Sequence, residues 1–275
     1  MEGLKTAVIR PTRGLRHIDL KEIWRHREIL YFLTWRDIKI RYKETLVGVL
    51  WAVIQPVLTM AVFSLFFGRL AKVPSGGLPY PLFVYAGLLP WTYFSQALTR
   101  SSESVVENAN MIRKVYFPRV IIPVSASFSA LIDFLIASAV FFLLMLYYGF
   151  SPVKAMILFP ALLLFTFLCS AGIGLWLASL NVMYRDVRHA IPFFIKLGLF
   201  VTPVIYPASM LPKEINWILY LNPMAGVIET FRASILADRP VLVPGFGLSV
   251  AVTIFFFITG LYFFRKTEKD FADII

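Results

Sequence analysis

The sequence predicts an all-α integral membrane fold: six transmembrane helices, an amphipathic N-terminal interface helix and a re-entrant helix pair. Three observations lead there. Of the 275 residues, 59% are hydrophobic and 16% charged, against roughly 45–50% and roughly 25% in soluble domains. The apolar residues fall in long runs free of Asp, Glu, Lys and Arg. The net charge of +11 is unevenly placed along the chain, as expected where basic loops stay on the cytoplasmic side. A soluble enzyme cannot cover its surface with such a composition.

The chain divides into residues 1–44, a six-span domain over 45–265, and a tail over 266–275. The N-terminus is basic without a long apolar run, so it does not read as a cleaved signal peptide. In 19–42, Trp24, Tyr31, Trp35, Ile38 and Tyr42 recur at helical spacing, with Leu20 and Ile23 extending the stripe. Basic residues fall mostly elsewhere, although Arg27 interrupts the pattern. That predicts a helix lying in the membrane interface, with a solvated basic flank as the plainer alternative.

A bilayer core takes about 20 apolar residues as helix. The spans lie within 45–68, 73–99, 120–153, 155–184, 197–212 (reaching back to about Ala190 across Lys196) and 240–264. Residues 215–228 are apolar but too short to cross, and Asn222-Pro223 breaks them. Such a segment, after Pro203, Pro207 and Pro212, reads as re-entrant half-helices beside a pathway, or as a helix on the outer surface. Lys and Arg number eleven in 1–44, four in 100–119, three in 185–196 and three in the tail, 21 in all against six in the other loops. An even number of spans with this bias puts both termini in the cytoplasm.

Chemistry is sparse. Cys169 is alone, so no disulfide framework or CxxC metal site is possible. The sequence has no HExxH, no GxSxG and no GxxxxGK[ST] phosphate loop. Neither a catalytic residue nor a metal ligand is expected. Asp133 is the acidic residue inside the spans, serving either a helix–helix contact or the transport path. Ser170, Gly174 and Ala178, four residues apart, predict close helix packing. Aromatic residues near span ends read as an interfacial belt; the sharper alternative is that Trp51, Trp91, Tyr93, Phe94 and Tyr206 stack on sugar rings along a channel. The loop 107–119, ENANMIRKVYFPR, has a short helical pattern with three basic residues, suited to docking a soluble motor or simply a basic loop. A different class of reading, an enzyme acting on lipid-linked sugars, has only Asp133 or Glu229 to offer.

Four segments together carry a family resemblance: WRDIKIRYKETLVGVLWAVIQP (35–56), ENANMIRKVYFPR (107–119), NVMYRDVRH (181–189) and YLNPMAGVIETFR (220–232). They resemble the permease subunits of type-2 ABC exporters, most closely the O-antigen and polysaccharide export permeases, with teichoic acid permeases nearby. The resemblance spans essentially the whole chain. It implies a homodimer in the bacterial inner membrane, bound to two copies of a separate ATPase that carries the ATP and magnesium, with no cofactor in this chain and no nucleic-acid partner. The cargo implied is lipid-linked polysaccharide on undecaprenyl diphosphate; a drug or simple-lipid exporter is the alternative. Within the cytoplasmic loop 100–119, the resemblance makes Asn108, Met111, Arg113, Lys114, Tyr116, Phe117 and Pro118 the coupling segment that meets the ATPase. Arg36, Lys39 and Arg41 are expected near the lipid diphosphate, where basic side chains also suit an anionic leaflet. Residues 207–238 become a periplasmic re-entrant pair, with Asn222, Pro223, Glu229 and Arg232 at its gate.

Overall fold

The computed structural model describes residues 24–43, 48–151, 156–184, 186–212, 214–237 and 241–274. The expectations placed on Leu20, Ile23, Lys154, Arg185, Lys213, Arg239 and the rest of 1–23 and 44–47 lie outside these residues. Every regular element among the described residues is helical.

The chain enters as α1 (Arg27–Lys43). Next comes α2 (Gly48–Phe63), which runs into a π-helical stretch, Ser64–Leu70. After a turn, α3 (Tyr80–Glu107) is the longest helix, and the short α4 (Ala109–Lys114) follows it. The third apolar run is two helices, α5 (Ile121–Ser129) and α6 (Leu131–Tyr147). Then come α7 (Phe159–Met183) and α8 (Val187–Val201). The broken apolar segment forms α9 (Asn216–Leu219) and α10 (Pro223–Leu236). The chain closes with α11 (Phe246–Thr267), one 3-10 turn and α12 (Phe271–Ile274).

Among the described residues, four stretches are long and apolar enough to cross a membrane: Leu50–Leu70, Ile121–Tyr147, Phe159–Met183 and Phe246–Asp270. The other two expected spans differ for separate reasons. At 1.5 Å per residue, α3 reaches about 42 Å, but its second half is polar, with Ser95, Gln96, Thr99, Arg100 and Ser101–Glu103. By the same rise α8 is about 22 Å long, too short to cross alone. It stops at Val201, because the segment from Thr202 to Pro207 leaves the helical path.

The core is built around α3, which is buried from Leu82 to Val105 on successive turns. α7 packs along it and α11 along α7. Gly174 of the predicted small-residue stripe makes the approach to α3 possible, and Gly172, outside that stripe, the approach to α11. A Cβ on Gly174 would sit 2.5 Å from the Ser101 hydroxyl of α3, and one on Gly172 2.6 Å from the Phe257 backbone of α11. Cys169 is buried among these helices. By contrast, α2 turns Leu50, Trp51, Leu58 and Val62 outward, and its π-helical extension Phe66, as a lipid-facing helix does.

Candidate functional site

Three places gather the polar and basic residues. The first is at the end of the bundle where α1 meets α3 and α6. Asp133, in the first turn of α6, is 6% exposed. One carboxylate oxygen accepts the Tyr42 hydroxyl, and the other pairs with Arg41 and, at 3.2 Å, with Arg100. Arg100 also donates to Ser129 Oγ at 2.9 Å. A carboxylate withdrawn from water requires such partners. Two guanidinium groups on one carboxylate leave this group with a net charge of about +1. Burial, reinforced by the Asp133 carboxylate, pushes the Tyr42 phenol well above its ordinary range, so it stays protonated as a donor. A narrow cleft opens beside the cluster, lined by Arg41, Gln55, Thr92, Gln96 and Asp133.

The three basic residues expected near a diphosphate are therefore engaged in three ways. Arg41 turns inward to Asp133. Arg36 forks onto the neighbouring Asp37, at 3.1 and 2.8 Å. The Lys39 ammonium lies 5.5 Å from the centre of the Trp35 ring. Trp24, Tyr31 and Trp35 of the aromatic stripe are exposed, but so is Phe32 away from it. The apolar side chains of α1 are consequently less confined to one face than the spacing suggests.

The second place is the loop after α3. Asn108 closes α3 by donating its side-chain amide to Ser104 O at 2.7 Å, while its own carbonyl accepts the Met111 and Ile112 amides. α4 then splits by side. Ile112, Phe117 and Pro118 are buried and Met111 partly so. Arg113, Lys114, Val115 and Tyr116 face outward, Tyr116 with 76% of its surface exposed. Just before α4, Glu103 pairs with Arg188 at 3.4 Å, tying the end of α3 to the start of α8. Burial first, then the nearby Glu103 charge, raise the Glu107 carboxyl above its usual range.

The third place is at the opposite end. The Asn-Pro break is a helix start: Asn222 Oδ1 accepts the Met224 amide at 3.0 Å, and Pro223 occupies the first turn, where a missing N–H costs nothing. The Asn222 amide also donates to Thr202 Oγ1 at 2.7 Å. Arg232, 4% exposed, then satisfies the non-helical backbone after α8. It donates to Pro203 O and Val204 O, each at 2.5 Å, and to Phe83 O at 3.0 Å. It pairs with Glu229 at 3.2 Å and lies 3.6 Å over the Phe83 ring. Tyr80 donates to Ile205 O, and Tyr206 to Val201 O. Non-helical backbone without water must find such donors inside the protein. Gly87 leaves the space: a Cβ there would sit 2.5 Å from Arg232 Nη2.

The aromatic residues also divide. Trp91, Tyr93 and Phe94 are buried in the core, with Trp91 and Phe94 centroids 5.6 Å apart and Tyr93 and Phe134 5.4 Å apart. Trp51 is exposed and Tyr206 half-buried. Tyr42, Arg100 and Ile112 were not among the expected site residues: Tyr42 stands in the aromatic stripe and Ile112 inside the 107–119 segment, but only the fold brings them to their partners. Among the described residues no three His, Cys, Asp or Glu side chains gather to hold a metal.

Comparison with known proteins fits this arrangement. The ABC-2 type transporter family matches residues 28–236. The chain is 29% identical to the O-antigen export system permease protein RfbA of Myxococcus xanthus, over 93% of this chain and 98% of that one. A Klebsiella pneumoniae RfbA, also an O-antigen export system permease protein, is 30% identical over 90% and 95%. The polysialic acid transport protein KpsM of Escherichia coli is 25% identical over 85% and 91%. With its apolar helices, the chain is a membrane protein of transport, not a catalytic subunit, and it belongs to the ABC-2 type transporter family.

Proposed function

We propose that this chain is the membrane permease of an ATP-driven exporter of lipid-linked polysaccharide of the O-antigen kind. Cargo linked to undecaprenyl diphosphate crosses from the cytoplasmic to the outer face of the inner membrane. A homodimer forms the path, and two copies of a separate ATPase drive it. The observation that carries the reading is the split of the α4 segment. Ile112, Phe117 and Pro118 fix it to the bundle, and Arg113, Lys114 and Tyr116 are presented outward. A chain that lacks a phosphate loop needs a motor, and an outward basic–aromatic knob on a rigid seat suits one. The names of the relatives support the cargo.

In this reading six segments span: α2 with its π-helical extension, α3, α5–α6, α7, α8 with the segment after it, and α11. Both termini are cytoplasmic, and α9–α10 form the periplasmic re-entrant pair, with Arg232 and Glu229 bracing its gate. Arg36 and Lys39 meet the diphosphate, while Arg41 is positioned by Asp133. Trp51 and Tyr206, which reach the surface, meet the glycan more readily than the buried Trp91, Tyr93 and Phe94.

The test is co-purification with the cognate ATPase. Changing Arg113→Glu together with Tyr116→Ala is expected to abolish capture while membrane insertion is kept. Undiminished capture in that variant contradicts the assignment.

A further inference from the structure

The last residues read as a charged cytoplasmic tail, yet they carry a buried aromatic. α11 passes through the single turn Glu268–Asp270 into α12. Phe271 is 0% exposed and meets Phe264 edge-on, with ring centroids 5.3 Å apart. The same cluster holds Leu33 of α1, Ile112 of α4 and Phe117. Leu33 is the buried side chain of α1, and Ile112 that of α4. Each of these outlying helices thus enters the bundle through one apolar side chain, and both reach the cluster that Phe271 completes. A polar link runs alongside. Arg119, five residues beyond α4, donates to the Glu268 main-chain carbonyl. Arg265 holds the Glu268 carboxylate at 2.8 Å.

α4 has little to hold it otherwise. It has six residues and no side-chain N-cap, and the Asn108 amide donates back to α3. Helices this short do not persist without tertiary contacts. Close-packed apolar side chains pass on a displacement because they cannot be compressed.

We propose that the C-terminal segment Phe264–Ile274 is a brace that seats α4 and links it to α1, with Phe271 as the positioning residue. Movement imposed on α4 then reaches the interface helix through the apolar cluster that Ile112, Phe271 and Leu33 share. The inference rests on the reading of α4 as the motor-docking segment, and the experiment separates the two.

Cys169 is buried, so an Ile112→Cys variant supplies the reactive thiol for a maleimide probe in inside-out vesicles carrying the full chain and its ATPase. Adding Phe271→Ala is expected to raise the labelling rate about tenfold, the size of a local opening made about 1.4 kcal/mol easier. ATP-dependent export should fall with it. Phe271→Leu, which keeps the volume, should return both toward the parent. Arg119→Gln opens no apolar cavity and should give a smaller rise; it decides the matter if Phe271→Ala reduces the inserted protein. Unchanged labelling in both variants overturns the brace. Faster labelling with undiminished ATPase capture keeps the brace and overturns the docking reading.

Discussion

Asp133 and Arg100 pair at 3.2 Å between the start of α6 and the polar second half of the long helix α3. The same carboxylate holds Arg41 and Tyr42 of α1. One buried acid thereby fixes three elements at the end where cargo and motor are proposed to meet. Asp133→Asn leaves two guanidinium groups facing each other without their counter-charge. It is expected to lower stability by about 1–3 kcal/mol, the range for a buried group losing a charged partner. Thermal unfolding in detergent reads this directly. Combined with Arg100→Gln, the loss should be less than additive, because both changes break one contact; strict additivity would show that the pair is not coupled.

Arg232→Lys keeps the charge but not the planar fork that serves Pro203, Val204 and Phe83 together. We expect a loss of about 2–4 kcal/mol, two or more hydrogen bonds at buried carbonyls. Amide hydrogen exchange should accelerate first around 202–207. Exchange that rises uniformly over the bundle would place the role of Arg232 elsewhere.

Asn222→Ala removes the capping bond to the Met224 amide and the bond to Thr202 Oγ1 beside the same break. Its expected cost is about 1–2 kcal/mol, below that of Arg232→Lys. The ranking of the two unfolding midpoints is the check.

Gly260→Ala would drive a methyl group into the main-chain carbonyl of Gly172, where α11 crosses α7. Backbone cannot rotate away as a side chain can, so the helices must separate at a cost of about 1–3 kcal/mol. Gly247→Ala, with open space at its Cβ, serves as the control and should leave the midpoint unchanged or slightly raised, since alanine favours the helix.

Glu107 has its carboxyl raised by burial and by Glu103. The folded chain therefore binds this proton more readily than the unfolded one, and stability falls as pH rises through the folded value. At neutral pH the wild type bears that penalty, and in acid it does not. Glu107→Gln should accordingly be slightly more stable at neutral pH, with the difference vanishing below the usual carboxylate range. A pH-independent difference would contradict the electrostatic origin.

Local signals made much of this architecture legible. Charge-free runs marked the apolar helices, Asn222-Pro223 marked the start of α10, and spacing of small residues marked Gly174 against Ser101. What depends on distant partners was not legible. Tyr42 and Asp133 are 91 residues apart, and Arg100 and Asp133 are 33 apart. An isolated acid in an apolar run gives no sign of which cations the fold will deliver to it. Tyr93 and Phe94 look like belt residues by position, yet α3 is enclosed by its neighbours and buries them. Arg113 stood out by charge, whereas Ile112 beside it, apolar like its surroundings, anchors the helix. Phe271 was hidden for another reason: it stands alone in a charged tail, and its cluster partners on α1 and α4 are distant in the sequence.

In the proposed function, α4 couples a separate ATPase to movement of a lipid-linked glycan through this chain. Inside-out vesicles holding the chain and its ATPase, supplied with an undecaprenyl-diphosphate-linked glycan, test it most directly. Wild type should protect the glycan from an added glycosidase only when ATP is present. The Arg113→Glu, Tyr116→Ala variant, at equal protein level, should give no protection. Full ATP-dependent protection in that variant, or protection without the ATPase, would contradict the account.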